Sequence, residues 1–209
     1  PLAPTLAATT VTSRLEDRRG RLWVGTRDQG ACRVSAGQVE CFGLVEGLAD
    51  DSVDAILSDR EGNLWFATFG GGVSRLSTES FRNFTTSSGL PPGGVTTFAE
   101  LGGEIWIGTH GGGIGRLVGG RFEPFTVADG LPHDKVLCAW ADPDGTLWVG
   151  TLAGAARRRP GQRRFEALPG LLGRAVGSHI LVVGGSRWFA PSAGLAELSA
   201  TGERLLTQD

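Results

Sequence analysis

The sequence has no methionine, not even at residue 1, so it is expected to be a processed or excised part of something longer, with any output activity in neighbouring domains. It has no excess of basic charge either: the formal net charge is −2. No positive field gathers phosphates, which excludes nucleic acid and anionic membrane surfaces as expected partners. The longest apolar run, Val136 to Ala141, is far short of the ~20 residues needed to span a bilayer, and the N-terminus lacks a basic-then-apolar signal pattern. No direct membrane contact is therefore expected. Cys32, Cys41 and Cys138 are the only cysteines, too few for a disulfide scaffold and without the paired spacing of a zinc site.

Glycine, by contrast, is abundant. The 34 glycines and 10 prolines follow no collagen period and fall between apolar runs, so they mark the many tight turns of an all-β chain. Hydrophobic residues make up 40% of the chain, enough to bury a core. Five tryptophans, Trp23, Trp65, Trp106, Trp148 and Trp188, recur at separations of 42, 41, 42 and 40 residues. Around them the chain reads Leu22-Trp-Val-Gly-Thr26, Leu64-Trp-Phe-Ala-Thr68, Ile105-Trp-Ile-Gly-Thr109, Leu147-Trp-Val-Gly-Thr151 and, decayed, Arg187-Trp-Phe-Ala-Pro191. A period near 40 residues makes the chain one array of about five units, approximately 11–47, 48–89, 90–130, 131–170 and 171–206, rather than separate domains.

Each unit reads as four strands. Val11, Val53, Val95, Val136 and Val176, followed by Leu15, Leu57, Phe98, Trp140 and Ile180 eight residues before the anchor Trp, give a first strand with a buried face. Trp140 is thereby assigned to packing. A turn follows, with an acid six before the Trp and a glycine three before: Asp17/Gly20, Asp59/Gly62, Glu100/Gly103 and Asp142/Gly145. Acid capping of local N–H groups and a left-handed glycine make these structural turns; in the fifth copy Val182 replaces the acid. The second strand carries the Trp, and its Gly or Ala and Thr neighbours are small enough for adjacent sheets to approach. Glycine-rich turns (Asp28-Gln-Gly30, Gly70-Gly-Gly72, Gly111-Gly-Gly113, Ala153-Gly154, Ala193-Gly194) lead to third and fourth strands. No helix follows Gly111-Gly-Gly-Ile-Gly115, so it is not read as a phosphate cradle. Each unit closes on a loop, as in Gly89-Leu-Pro91 and Gly130-Leu-Pro132, whose Leu is expected to plug between units.

Four antiparallel strands per ~40 residues is the blade of a β-propeller. The fold expected is all-β: a propeller array of about five four-stranded antiparallel blades, more in keeping with an arc of a larger propeller than with a closed ring. Two smaller readings follow from the same register. If Ser35-Ala36-Gly37-Gln38 is a two-residue hairpin turn, Cys32 and Cys41 stand directly opposite at a non-hydrogen-bonded pair, where Cα atoms approach to ~4.5 Å, within disulfide range. Two buried thiols remain an equal alternative, with a bond expected if the parent protein is exported. The basic run Arg157, Arg158, Arg159, Arg163 and Arg164, flanking Pro160-Gly161, reads as a solvated hairpin tip.

The pattern of Gly130-Leu-Pro132, Val136, Asp142 to Thr151 and Gly71-Gly-Val-Ser-Arg-Leu76 resembles the two-component regulator propeller repeat, over essentially all of residues 11–206. The resemblance implies an extracytoplasmic or periplasmic sensor module of a bacterial signal-transduction protein, non-catalytic and without cofactor. It further implies a small-molecule or glycan ligand, and a possible homodimer through the parent protein. The repeat motif is scaffold and names no ligand residues. An alternative is a lyase of the streptogramin type, whose propeller also has D-G-x-L-W repeats; here the strand ends in Thr26, Thr68, Thr109 and Thr151 without that family's acid, and only three histidines exist. A protein-docking platform is a third reading. Because the loops after the second and fourth strands project to one end of every blade, the ligand residues are expected among Arg27, Asp28, Asp50, Asp51, Phe69, His110, His133, Asp134 and Arg174. Of these only His110, His133 and Asp134 have the chemistry for a divalent metal or acid–base work. They lack a short fixed spacing, so neither a metal site nor catalysis is expected.

Overall fold

The computed structural model describes residues 6, 9–78, 80–171, 173–183, 185–192, 194–199 and 202–206, with 177–182, 203 and 205 described by backbone alone. The expectations placed on the side chains of Ile180 and Val182, and on Ala193, lie outside the described residues. Twenty strands form five antiparallel four-stranded sheets, each in simple sequence order. Blade 1 is β1 (Val11–Glu16), β2 (Leu22–Thr26), β3 (Ala31–Ser35) and β4 (Gln38–Phe42); blade 2 is β5 (Val53–Ser58), β6 (Leu64–Thr68), β7 (Gly72–Ser77) and β8 (Ser80–Phe84). Blade 3 is β9 (Val95–Leu101), β10 (Glu104–Thr109), β11 (Ile114–Val118) and β12 (Arg121–Phe125). Blade 4 is β13 (Val136–Ala141), β14 (Leu147–Thr151), β15 (Gly154–Arg158) and the two-residue β16 (Glu166–Ala167); blade 5 is β17 (Val176–Val183), β18 (Ser186–Pro191), β19 (Leu195–Ser199) and β20 (Gly202–Leu206). The chain divides into two compact units, Pro1–Leu90 with blades 1 and 2, and Pro91–Asp209 with blades 3 to 5.

The sequence pattern accounts for the packing inside each unit. The five anchor tryptophans lie on the second strands, and Trp23, Trp65 and Trp106 are fully buried. Over the rings of blades 1 to 4 lies the arginine directly across the ladder: Arg33, Arg75, Arg116 and Arg157 have Cζ 5.8, 5.7, 5.8 and 5.7 Å from the centroids of Trp23, Trp65, Trp106 and Trp148. Small residues beside the Trp let the next blade in. A Cβ on Gly25 would come 3.0 Å from Val53, and one on Gly150 would come 3.0 Å from Val176, both on the first strand of the following blade. The loop leucines Leu48, Leu90, Leu131 and Leu171 are buried as plugs. The strand-end threonines do more than stay small: Thr26, Thr68, Thr109 and Thr151 donate Oγ1–H to the carbonyls of Gly30, Gly72, Gly113 and Gly154, closing the turn that follows.

The turn acids fasten the tryptophans. Asp17 Oδ1 accepts the Arg19 and Arg21 N–H groups, while Oδ2 accepts the Trp23 indole at 2.9 Å. Asp59 does the same for Asn63 and Trp65, and Asp142 Oδ2 accepts Trp148 Nε1. Blade 3 departs from this pattern. There Leu101 pairs with Glu104 across a two-residue turn, Gly102-Gly103, with φ of 62° and 84°, the left-handed pair a tight hairpin requires. Glu100 is drawn into the ladder opposite Ile105 and is not the capping acid that its spacing suggested. The same slip sets Ala99, not Phe98, opposite Trp106. In the fifth blade Leu181 rather than Ile180 faces Trp188.

Trp140 also corrects the sequence reading. It faces Trp148 across the ladder, where blades 1 and 2 have Leu15 and Leu57. Those leucines are only half-buried, and the larger indole overhangs the covered area, leaving it 42% exposed with its N–H on Asp142 Oδ1 at 3.0 Å.

Candidate functional site

In the first unit the loops leaving β2, β4 and β6 bring Arg27, Asp28, Asp50, Asp51 and Phe69 to one end of blades 1 and 2. All three carboxylates are engaged by the chain. Asp51 Oδ1 accepts the Leu44 N–H at 2.8 Å, and its carbonyl accepts the Gly30 N–H at 2.7 Å, so Asp51 ties two loops together. Asp28 accepts the Thr9 hydroxyl. Asp50 Oδ1 holds the Ser52 N–H, and the Ser52 carbonyl accepts the Phe69 N–H at 3.0 Å. The Phe69 ring itself is 70% exposed, with Leu44 and Val45 also bare on these loops. Sequence reasoning missed Asp54. Local loss of water pushes its carboxyl up, Arg27 pulls it down and Asp50 adds to the rise, so it sits above the usual carboxylate range. Its place one residue after the buried Val53, on the outward side of a strand start, was the signal available.

In the second unit the backbones of the histidine constellation do meet. His110 bridges Lys135, and the Asp134 carbonyl accepts the Gly113 N–H at 2.8 Å. The side chains serve the loop instead of facing one another as ligands. His133 Nδ1 accepts the Lys135 N–H at 2.8 Å, and Asp134 Oδ1 accepts the Val127 N–H at 2.8 Å, just as Asp51 does for Leu44. His110 is exposed, and Arg174 is half-buried in the loop before β17. Among the described residues no group of three or more His, Cys, Asp or Glu could hold a metal ion.

Cys32 and Cys41 are directly paired across β3 and β4 and are joined as a disulfide. Cys138 is free and buried, which pushes its thiol up to about 11. Such a thiol is neutral and inert at ordinary pH.

The opposite end of each blade, where the first strand turns into the second, is rich in arginine and acid side by side. A cleft of about 260 Å³ between blades 1 and 2 is lined by Arg18, Arg19 and Arg21 together with Asp17 and Glu61. One of about 220 Å³ between blades 4 and 5 is lined by Arg157, Arg159 and Arg187 with Asp144. The arginine run is only in part a solvated tip: Arg159, Arg163 and Arg164 are exposed, while Arg157 and Arg158 are half-buried. Arg157 and Arg159 both pair with Glu166, and Arg158 is half-buried with Cζ 5.3 Å from the Trp106 ring and 5.7 Å from that of Phe125. The first three arginines of the run thus find an acid on the short fourth strand and rings on the preceding blade, partners invisible in their own local sequence.

Residues 5–28 and 47–70 match the family model described as two component regulator propeller. No curated protein sequence matches the chain. Among solved structures the chain is similar to the extracellular domain of a putative hybrid two component system from B. thetaiotaomicron, at 20% identity and a TM-score of 0.78, covering 97% of this chain and 28% of that one. It is also similar to PorZ of Porphyromonas gingivalis, described as a surface component of the type-IX secretion system, at 17% identity, a TM-score of 0.71, and 96% and 33% coverage. A catalytically inactive virginiamycin B lyase from Staphylococcus aureus gives 16% identity, a TM-score of 0.72, and 96% and 71% coverage. At these identities the likeness shows the fold, and the chain spans less than a third of the length of the first two proteins. The chain is an all-β array of propeller blades, and two of its segments match the two component regulator propeller repeat.

Proposed function

We propose that this chain is a non-catalytic ligand-binding segment of a sensor propeller in a signal-transduction protein of the two-component type. The observation that carries the reading is the exposed Phe69 ring at a loop end that also holds Arg27, Asp50 and Asp54. An apolar face amid charges of both signs suits a polar small molecule or a glycan, which presents ring faces and hydroxyls together. The groups with most chemical potential, Asp134 and His133, are hydrogen-bonded to backbone N–H groups as loop-closing residues, and no group of three His, Cys, Asp or Glu among the described residues could hold a metal ion, which supports binding over acid–base or metal chemistry. An extracytoplasmic, periplasmic setting agrees with the disulfide, because such bonds persist in oxidising compartments. It agrees also with the extracellular domain among the similar structures. Dimer contacts through the parent protein would carry the signal onward.

The test is a thermal-shift screen of the chain against mono- and oligosaccharides and small polar metabolites, followed by calorimetry on each hit. Phe69→Ala and Arg27→Ala should keep the melting temperature of the free protein within about 1–2 °C, as surface changes do, and weaken the hit by at least about tenfold. A ligand bound equally well by both variants, or one chemically turned over, would sink the proposal.

A further inference from the structure

Two blades build the same three-part contact at the turn between first and second strands. In blade 1, Asp17 Oδ2 accepts both the Trp23 indole N–H at 2.9 Å and Arg21 Nε–H at 2.7 Å, while Arg21 Cζ lies 5.9 Å from the Trp23 ring. In blade 4, Asp142 Oδ2 accepts the Trp148 indole at 2.9 Å and the Arg187 Nε and Nη2 groups at 2.8 and 2.6 Å, with Arg187 Cζ 5.6 Å from the Trp148 ring. A buried indole N–H and a guanidinium lying over that indole converge on one carboxylate oxygen.

Blade 3 has the indole and the guanidinium without the acid. Trp106 is fully buried, and Arg158 lies over its ring with Cζ 5.3 Å from the centroid. Trp106 Nε1 and Arg158 Nε both lack an acceptor among the described residues, as does Arg116 Nε. Arg116 lies over the same indole at 5.8 Å, its outer nitrogens on Glu123 at 2.8 Å and Glu104 at 3.5 Å. Burial and the nearby Arg116 charge push the Arg158 guanidinium down, with Glu104 opposing. Packing does not call for an arginine here, since the matching positions in the other blades are Val34, Leu76, Leu117 and Leu198. A leucine would cover Trp106 without desolvating a charge.

We propose that Trp106, Arg158 and Arg116 form a binding site for the carboxylate group of a small organic acid. The ligand takes the place of the missing turn acid: one oxygen accepts the Trp106 indole N–H and an Arg158 N–H together, as Asp17 and Asp142 do in their own blades. Half-exposed Arg158 forms the entrance. Glu104 and Glu123 balance the two guanidiniums, which disfavours dianions such as phosphate and selects a single carboxylate. The site is at the turn end of blades 3 and 4, and it stands or falls independently of the ligand binding proposed around Phe69.

The experiment is a titration of the ¹⁵N-labelled chain with sodium formate and sodium acetate at constant ionic strength, with sodium chloride as the control anion. It follows the Trp106 indole N–H resonance, assigned through its own side-chain connectivities. The expected result is a saturable downfield shift with a midpoint on the order of 10 mM for both carboxylates and none for chloride. Arg158→Leu, which installs the residue type of the other blades, should leave the remaining indole resonances in place and raise the midpoint by at least about tenfold. A non-saturable response, as a bound water would give, an equal response to chloride, or an unchanged midpoint in Arg158→Leu would overturn the site.

Discussion

Replacing Asp59 by alanine tests whether the turn acids hold the blades together or merely decorate them. Asp59 is 3% exposed and accepts three hydrogen bonds: Trp65 Nε1 at 2.8 Å, the Asn63 N–H at 2.7 Å and Asn63 Nδ2 at 2.8 Å. Asn63 is only half-buried, so water replaces the carboxylate for its two donors. Trp65 is 1% exposed, and its indole N–H is left unsatisfied, at a cost of about 1–3 kcal/mol. With the lost charge-assisted bond to the turn, Asp59→Ala should destabilise the first unit by about 2–4 kcal/mol. Glu100→Ala is the internal control, because Glu100 stands in the ladder opposite Ile105 and the Trp106 indole has no acceptor to lose. That change leaves the Trp106 indole as it was and should cost clearly less than Asp59→Ala. Urea unfolding followed by tryptophan fluorescence reads the difference as a midpoint drop of roughly 1–2 M for Asp59→Ala. Asp59→Asn, which keeps a carbonyl acceptor for the indole, should recover a good part of the loss. Equal midpoints for Asp59→Ala and Glu100→Ala would refute the reasoning.

Acid should weaken the same clamp in blade 1. Burial pushes the Asp17 carboxyl up, but hydrogen bonds from Trp23, Arg21 and the Arg19 N–H outweigh it and hold the group below its ordinary 3.8. Its contribution is therefore fully present above about pH 4 and lost as pH falls through the lower folded value. The stability gap between the natural protein and Asp17→Asn should shrink between pH 5 and pH 2, and a gap that stays constant across that range would count against the clamp. Gly150→Ala probes the close approach of blades 4 and 5. The added Cβ would come 2.5 Å from Cys138 Sγ and 3.0 Å from Val176, so it should cost about 1–3 kcal/mol. The cost should be partly relieved when Cys138→Ala is added, and an additive pair of changes in a double-mutant cycle would show that the contact is slack.

The fold was legible because its determinants are local and repeated. A tryptophan, a turn acid and a glycine at fixed offsets encode strand, turn and strand within a dozen residues, and the Cys32/Cys41 pairing needed only the length of one hairpin. What the sequence hid depends on register or on the next blade. Glu100 keeps the spacing of a turn acid, yet Gly102-Gly103 closes one residue tighter, and that single slip in register removes the acid from Trp106 and exchanges Phe98 for Ala99. Arg158 reads as part of a charged run, and only packing reveals that it stacks on the blade before its own.

The candidate site was harder to read because position alone does not separate scaffold from function in an array. Asp51 and Asp134 lie on loops at the expected binding end. They turn out to be the same structural device in two copies, each accepting the N–H of the residue seven before it and offering its carbonyl to the preceding glycine-rich turn. A feature shared by copies at one register is accounted for by the blade, since each blade needs the same turns closed. A feature confined to one copy has no such account and must be explained where it stands. By that criterion Phe69 at the loop end and Arg158 at the turn end outrank His133, whose Nδ1 accepts the N–H two residues on just as Asp50 Oδ1 does. Arg158 ranks first, because its blade also lacks the acid that its tryptophan and arginine would otherwise share.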